Sequence, residues 1–427
     1  MAALFLGIDF GTSGARGIVI DSTQQIVAQA RCDFGPLDRA SAEAWKRSLR
    51  ALLTAIAPNI RSHITRVAIN GTSATVLLCD RSNQPLKAPL MYNDASGRAV
   101  LPELKEVAPP ESPVLSATSS LAKVMWWRKT LPKSVQQQVF RIAHQADWLA
   151  SLLHGRSPVS DYHNALKLGY AVKQLSYPDW LLALPIADWL PPVLAPGEAI
   201  APVSQAIASE YGLPPNCQIC AGTTDSIAAF LASGAQSSGE AVTSLGSTLV
   251  LKLLSPQAIN QSAIGVYSHR LGDLWLVGGA SNSGGAVLQQ FFSNEELVAL
   301  SQQIDLSKPI PFDYYPLSQA GERFPINDPD YPPRLEPRPQ DDVQFLHGLL
   351  GAIARIEATG YQTLENLGAP TLQRVLTAGG GAQNEPWKML RQQQLQVPVV
   401  AATQTEAAYG SAQLACIGLS LYKTIAL

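Results

Sequence analysis

The sequence predicts an α/β protein built from two related domains, and three observations carry that reading. Its 427 residues exceed what a single hydrophobic core usually serves. A strand, a Gly/Ser/Thr turn and a second strand open the chain, and the same pattern returns beyond residue 240. The stretch between Phe230 and Gly239 is rich in Gly and Ser and reads as a boundary. The expected domains are residues 1–230 and 231–427.

The elements follow in order. Leu4 to Phe10 is an apolar strand, Gly11-Thr12-Ser13-Gly14 a turn, and Arg16 to Asp21 a second strand. Gln25 to Cys32 completes an antiparallel meander. Ala42 to Ile56 places Trp45, Leu49, Leu52, Leu53 and Ile56 on one helical face. Ile64 to Ile69 and Thr75 to Cys79 are β-rich, and Leu121 to Leu153 reads mainly helical, anchored by Trp126, Trp127 and Trp148. Cys217 to Ala221 is apolar and extended, then Gly222-Thr223-Thr224-Asp225 leads into a helix from Ser226. Ala241 to Leu245 and Leu249 to Leu254 flank Gly246-Ser247-Thr248. Pro309 to Pro339 has no period and reads as an ordered surface loop, given Tyr314, Tyr315 and Phe324. Phe345 to Leu367 is helical, Gln373 to Thr377 extended, and Gly379-Gly380-Gly381 breaks the chain before a helix near Glu385.

Composition narrows the partners. Hydrophobic residues at 46% and charged residues at 15% suit a folded chain and exclude disorder. Lys and Arg total 31 against 33 Asp and Glu, with no basic run, which argues against a nucleic-acid partner and for a small molecule. Met1 to Leu6 is too short an apolar stretch for a secretory signal. No apolar run reaches the roughly 18–20 residues that span a bilayer. Five scattered cysteines are unlike a disulfide framework and imply a reducing compartment, here expected to be the cytoplasm. Cys217 and Cys220 have metal-like spacing but no second ligand pair, and read as strand residues. His144 and His163 either touch substrate or fill polar niches. A monomer or homodimer is expected.

Four turns could carry chemistry. In Asp9-Phe10-Gly11-Thr12-Ser13-Gly14 a carboxylate ends a buried strand and the turn offers backbone N–H groups and hydroxyls to an anion. Asp9 could hold Mg²⁺ through water, since that ion keeps much of its hydration and takes one or two carboxylates. An ordinary hairpin fits equally well. Asp225 stands after a strand at a helix start, where it could take a proton from a hydroxyl or simply cap the helix. Gly246-Ser247-Thr248 repeats the phosphate-turn composition. Gly379-Gly380-Gly381-Ala382-Gln383-Asn384 makes a flat small-residue turn on which a nucleotide could lie. Plain loops remain open for both. Jointly, two acidic strand ends, two Gly/Ser/Thr turns and a late Gly-Gly-Gly turn come in the order an actin-like ATPase needs.

These stretches resemble the FGGY family of carbohydrate kinases. Leu6 to Ser13 is similar to its first phosphate motif, Ser244 to Thr248 to its second, and Gly379 to Asn384 to its adenosine motif. Gly222 to Asp225 falls where the family places its base, and Gly321-Glu322-Arg323-Phe324-Pro325 is similar to a recurrent stretch. The resemblance implies two actin-like (ribonuclease H-like) domains facing each other across an ATP and sugar cleft. It implies Asp225 as base and Asp9 as the carboxylate near Mg²⁺. Gly11, Thr12 and Ser13 would lie by the transferred phosphoryl group, Gly246, Ser247 and Thr248 by the β- or γ-phosphate, and Gly379, Gly380, Gly381 and Asn384 by adenosine. Ser73, Asp94, Asp9 and Asp225 would contact the sugar.

Departures from the pattern bear on the substrate. Asn70-Gly71-Thr72-Ser73-Ala74-Thr75 lacks the Gln and His usual in bacterial xylulokinases and glycerol kinases, and Ala95-Ser96-Gly97 separates Asp94 from Arg98. Short cyanobacterial and plant pentulose kinases are most similar, which implies D-ribulose first and D-xylulose second. A non-catalytic sugar sensor and another actin-like phosphotransferase are the competing readings. Retention of both Asp9 and Asp225 weighs against the sensor. Gln392-Gln393-Gln394-Leu395 also departs from the family's segment near adenosine.

Overall fold

In the computed structural model, residues 3–35 and 38–422 are described, and they divide into two compact units. One runs through Ala232 and takes in Glu406–Leu421; the other comprises Ser233–Thr405 and Tyr422.

The first unit is built on a six-stranded sheet. Its strands are β1 (Leu4–Phe10), β2 (Gly14–Ile20), β3 (Ile26–Asp33), β4 (Ile64–Gly71), β5 (Ala199–Pro202) and β6 (Gln218–Thr224), in the order β3-β2-β1-β4-β6-β5. The expected meander is present: β1 pairs antiparallel with β2, and β2 with β3. β1, β4 and β6 run parallel. Helix α1 (Ala42–Ala55) starts where the Ser41 hydroxyl accepts from Ala44 N–H, and it buries Trp45, Leu49, Leu52 and Leu53, the face its period predicts. That face packs with Leu6, Ile8, Val67, Ile69 and Trp148 in one apolar core.

The region expected to be helical from Leu121 to Leu153 is two helices, α2 (Ser120–Thr130) and α3 (Gln145–His154), separated by the strand Arg141–His144. That strand pairs antiparallel with Val76–Cys79. Its apolar residues are too few to show a period of two between helices, so the interruption was hidden in the sequence. Helix α4 (Asp225–Ser233) follows β6 without an intervening loop.

The second unit repeats the plan. Strands β7 (Glu240–Leu245), β8 (Leu249–Ser255), β9 (Tyr267–Leu271), β10 (Leu274–Ser281), β11 (Arg374–Ala378) and β12 (Val399–Ala401) order as β9-β10-β8-β7-β11-β12. β7 pairs antiparallel with β8 and β8 with β10, while β7, β11 and β12 are parallel. Each sheet therefore contains an antiparallel triplet whose first strand continues into a parallel triplet. The duplication seen as composition at Gly11–Gly14 and Gly246–Thr248 is a duplication of topology. Helices α5 (Asn294–Ser301), α6 (Asp342–Asn366) and α7 (Glu385–Leu395) cover this sheet's core, which includes Leu251, Val277, Phe345, Leu349 and Ile353. Residues 309–339 form an ordered irregular loop, as expected: Tyr315 and Arg334 exchange backbone hydrogen bonds, and Tyr314, Tyr315 and Phe324 are buried.

The compact units divide the chain differently from the expected domains of residues 1–230 and 231–427, because α8 (Ala407–Ile417) packs with the first unit. Its small residues allow this return. Gly7 on β1 lies so close to the α8 backbone that a Cβ there would sit 2.0 Å from the Ala408 carbonyl oxygen. Glu406 ion-pairs with Arg16 on β2 at 2.5 Å, and Ser411 Oγ accepts from Asn70 Nδ2 at 2.8 Å. Among the described residues no helix is long and apolar enough to cross a membrane.

Candidate functional site

Two groups of residues stand out, one in each unit. In the first, the parallel register brings the ends of three adjacent strands level. Asp9 on β1 and Thr223 on β6 are both opposite Asn70 on β4, and Phe10 and Thr224 are opposite Gly71. Ligands of parallel sheets bind at such carboxyl ends. Asp225 is the next residue after β6 and opens α4. Its Oδ1 accepts from the Ser226 N–H at 2.6 Å, so the carboxylate does engage the helix start. It is half-buried.

Asp9 is held differently. Its Oδ1 is sealed from solvent and has no hydrogen-bond partner. Burial first, then the neighbouring Asp225 carboxylate, raise its pKa from 3.8 to about 7, while Arg16 opposes the rise and Glu406 adds to it. A buried carboxylate oxygen without a partner is costly unless something positive reaches it. One such oxygen with a second carboxylate nearby suits a hydrated Mg²⁺. No cluster of three or more His, Cys, Asp or Glu that could hold a metal exists among the described residues.

The turn after β1 is closed by the Gly11 N–H donating to the Gly14 carbonyl at 3.0 Å, and Thr12 and Ser13 are exposed at its tip. The segment after β4 is tightly organised. Gln145 Oε1 accepts from the Thr72 N–H at 2.9 Å and from its hydroxyl at 3.0 Å, and Thr72 and Thr75 hydroxyls lie 2.5 Å apart. Ser73 is half-buried, and its hydroxyl has no partner among the described residues. Asp94 is half-buried and its Oδ1 accepts from the Ser96 N–H at 2.8 Å. Arg98 is exposed in the 3₁₀ turn Ser96–Val100. His144 and His163 are both buried; His163 Nδ1 is 2.7 Å from Thr223 Oγ1. Cys217, just before β6, and Cys220 within it are both buried thiols.

In the second unit, a cavity of about 610 Å³ is lined by Gly246 and Ser247 of the β7–β8 turn and by Gly380, Gly381 and Asn384 after β11. That volume is in the range of small-molecule sites. The parallel pairing of β7 with β11, with Ser244 opposite Ala378, sets the two turns side by side. Gly379 has φ +88°, and a Cβ there would stand 2.6 Å from the Leu245 carbonyl, so only glycine lets the turn lie flat on β7. A Cβ on Gly381 would meet Trp387 Cζ3 at 2.6 Å. Asn384 is already committed at both ends of its amide: Oδ1 accepts from the Trp387 N–H at 2.9 Å, and Nδ2 donates to Ser301 Oγ at 2.8 Å. It borders the cavity while tying α7 to α5. Thr248 and Gly379 are not among the lining residues.

The far wall carries no local sequence motif. Leu297, Val298 and Ser301 of α5, and Trp387, close the cavity from residues that no turn motif marks. Beneath it, Arg391 and Glu357 form a fully buried ion pair at 2.6 Å, and Arg391 also donates to Thr377 Oγ1 at 2.7 Å. The carboxylate of Glu357 also accepts from Thr243, whose hydroxyl is 2.8 Å from that of Tyr361. This network fixes the end of β11 where the glycine turn begins. Glu322, in the Gly-Glu-Arg stretch, is likewise a structural knot: it accepts from the Ser281 and Tyr315 hydroxyls and from two backbone N–H groups.

Comparisons with known proteins identify both halves of the chain. Residues 4–232 match the N-terminal domain and residues 241–419 the C-terminal domain of the FGGY family of carbohydrate kinases. A xylulose kinase from Escherichia coli (strain K12) is 23% identical over 91% of this chain and 84% of its own. A gluconokinase from Bacillus subtilis (strain 168) is 23% identical over 99% and 88%. A ligand-bound xylulose kinase from Lactobacillus acidophilus, 15% identical, superposes over 98% of this chain and 89% of its own with a TM-score of 0.83.

Proposed function

Because this chain belongs to the FGGY family of carbohydrate kinases, we propose that it phosphorylates the terminal hydroxyl of a pentulose, D-ribulose first and D-xylulose second. Membership makes it an ATP-dependent sugar kinase; the acceptor and the residue roles are inferred. The observation that carries the roles is the sealed, unpartnered Asp9 oxygen beside Asp225, at the level ends of β1, β4 and β6.

Asp225 is the base. As the sugar oxygen bonds to the γ-phosphorus and the bond from phosphorus to the β–γ bridging oxygen breaks, the hydroxyl proton passes to its carboxylate. Asp9 would hold Mg²⁺ through water, and that ion would neutralise charge on the phosphates. The Gly11–Gly14 turn, closed by the Gly11 N–H on the Gly14 carbonyl, offers the exposed Thr12 and Ser13 hydroxyls to the transferred group. Gly246, Ser247 and Thr248 take the β- or γ-phosphate, and Gly379, Gly380, Gly381 and Asn384 frame adenosine. Ser73 and Asp94 bind the sugar.

D-ribulose is favoured because hydroxyl residues, not Gln and His, follow β4. D-xylulose is the second reading because curated relatives carry that activity in their names. The two sugars differ only at C3, so a coupled ADP-release assay with ATP·Mg²⁺ and a panel of ketoses, polyols and acids separates them. The expected kcat/KM is highest for D-ribulose. A higher value for D-xylulose reverses the order, and ADP release that needs no added compound defeats the kinase roles.

A further inference from the structure

Lys123 is an unexpected residue in the first unit. It sits on α2 among Leu121, Ala122 and Val124, all buried, and is itself 0% exposed. Burying an ammonium is costly unless its donors are used. No carboxylate among the described residues hydrogen-bonds to it. Instead Nζ donates to the Ala74 carbonyl at 3.0 Å and to the Met91 carbonyl at 2.5 Å. Burial lowers its pKa to about 8, with the Asp94 carboxylate opposing the fall.

Both acceptors are informative. Ala74 follows Ser73 and has φ +66°, a left-handed conformation that a residue with a Cβ rarely adopts. Such strain persists only where surrounding contacts impose it, and the ammonium holds that residue's own carbonyl. The Met91 carbonyl also accepts from the Asp94 N–H at 2.9 Å, closing the turn that presents Asp94. One cation thus joins two segments that are separate in the chain.

We propose that Lys123 is a positioning residue of the acceptor site, its ammonium clamping the loop that carries Ser73 to the turn that carries Asp94. This rests on the assignment of Ser73 and Asp94 to the sugar. A lysine with only a packing role would affect stability and leave sugar recognition alone; a clamp changes the sugar KM.

The test is Lys123→Met, which keeps the length of the side chain and removes its donors. Steady-state kinetics on the best ketose should show the sugar KM raised about tenfold or more, the effect of losing a charge-assisted hydrogen bond. The KM for ATP should stay unchanged and kcat should fall by less than about threefold, since that loss is in binding and not in the transition state. Lys123→Gln serves the same purpose if the Met protein is insoluble. Ser73→Ala and Asp94→Asn run alongside. If they raise the sugar KM and the Lys123 variants do not, the clamp is refuted while the acceptor site stands. If neither control moves the sugar KM, the acceptor assignment fails and takes the clamp with it. A lower melting temperature with unchanged KM values also refutes the clamp.

Discussion

Replacing Asp9 by Asn should make the protein more stable and inactive, and the gain should depend on pH. In the folded chain the Asp9 pKa rises from 3.8 to about 7, through burial first and Asp225 second. Below pH 4 the carboxyl is neutral in both folded and unfolded states and contributes nothing. As pH rises from 4 to 7 the unfolded chain releases the proton and the folded chain keeps it, so stability falls, and the loss levels off above pH 7. A shift of this size corresponds to about 4 kcal/mol. Asp9 is half-buried, and solvent screening brings the figure nearer 2 kcal/mol. Asn carries no titrating proton and avoids the loss. Urea unfolding in EDTA without nucleotide, followed by tryptophan fluorescence, reads the first unit well, since Trp45, Trp126, Trp127, Trp148, Trp180 and Trp189 lie there. Asp9→Asn should exceed the wild type by about 2 kcal/mol at pH 8, by less at pH 5, and by almost nothing below pH 4. A variant no more stable than the wild type at pH 8 would refute the claim that Asp9 is a strained, unsatisfied carboxylate.

Three further outcomes are expected. Asp225→Asn should lower kcat by roughly 10²–10⁴-fold with little change in sugar KM, because a base acts at the transition state; near wild-type turnover would leave Asp225 as a helix-start residue only. Gly381→Ala should raise the KM for ATP and leave the sugar KM alone, since the new methyl would stand 2.6 Å from the Trp387 ring and 2.9 Å from Leu245 Cβ; equal ATP kinetics would move the nucleotide elsewhere. Arg391→Met should cost about 3–5 kcal/mol in chemical denaturation by stranding the buried Glu357 carboxylate. Adding Glu357→Gln should recover part of that loss, and strict additivity would show that the two do not act as a pair.

Much of this was legible in the sequence because the relevant signals are local. The Asp9 and Asp225 strand ends, the two Gly/Ser/Thr turns and the glycine triplet each occupy a few consecutive residues, and local composition reports them. What stayed hidden depends on contacts between distant segments. Nothing adjacent to Arg391 announces Glu357, 34 residues away. The return of α8 to the first unit is written only as the small residues Ala407, Ala408, Gly410, Ser411 and Ala412, a pattern that many helices share. Lys123 did leave a trace, as a lone charge between Leu121-Ala122 and Val124-Met125.

The repeated topology explains why the candidate groups fall where they do. In each sheet the first strand has an antiparallel partner on one side and a parallel partner on the other. At that strand's carboxyl end the chain must turn back tightly on one side, while the parallel neighbour ends level with it on the other. A tight turn supplies backbone N–H groups for an anion, and the neighbour's end supplies a side chain or a flat glycine surface beside it. In that setting one unit has Asp9 at the end of β1, with Thr72 and Ser73 following β4, and Asp225 stands one strand further on, after β6; the other has Gly246 after β7 and Gly379–Gly381 after β11. The same backbone device thus carries different residue types in its two copies, an acidic strand end and hydroxyl residues in one and glycines in the other, and those residue types decide what each copy can bind.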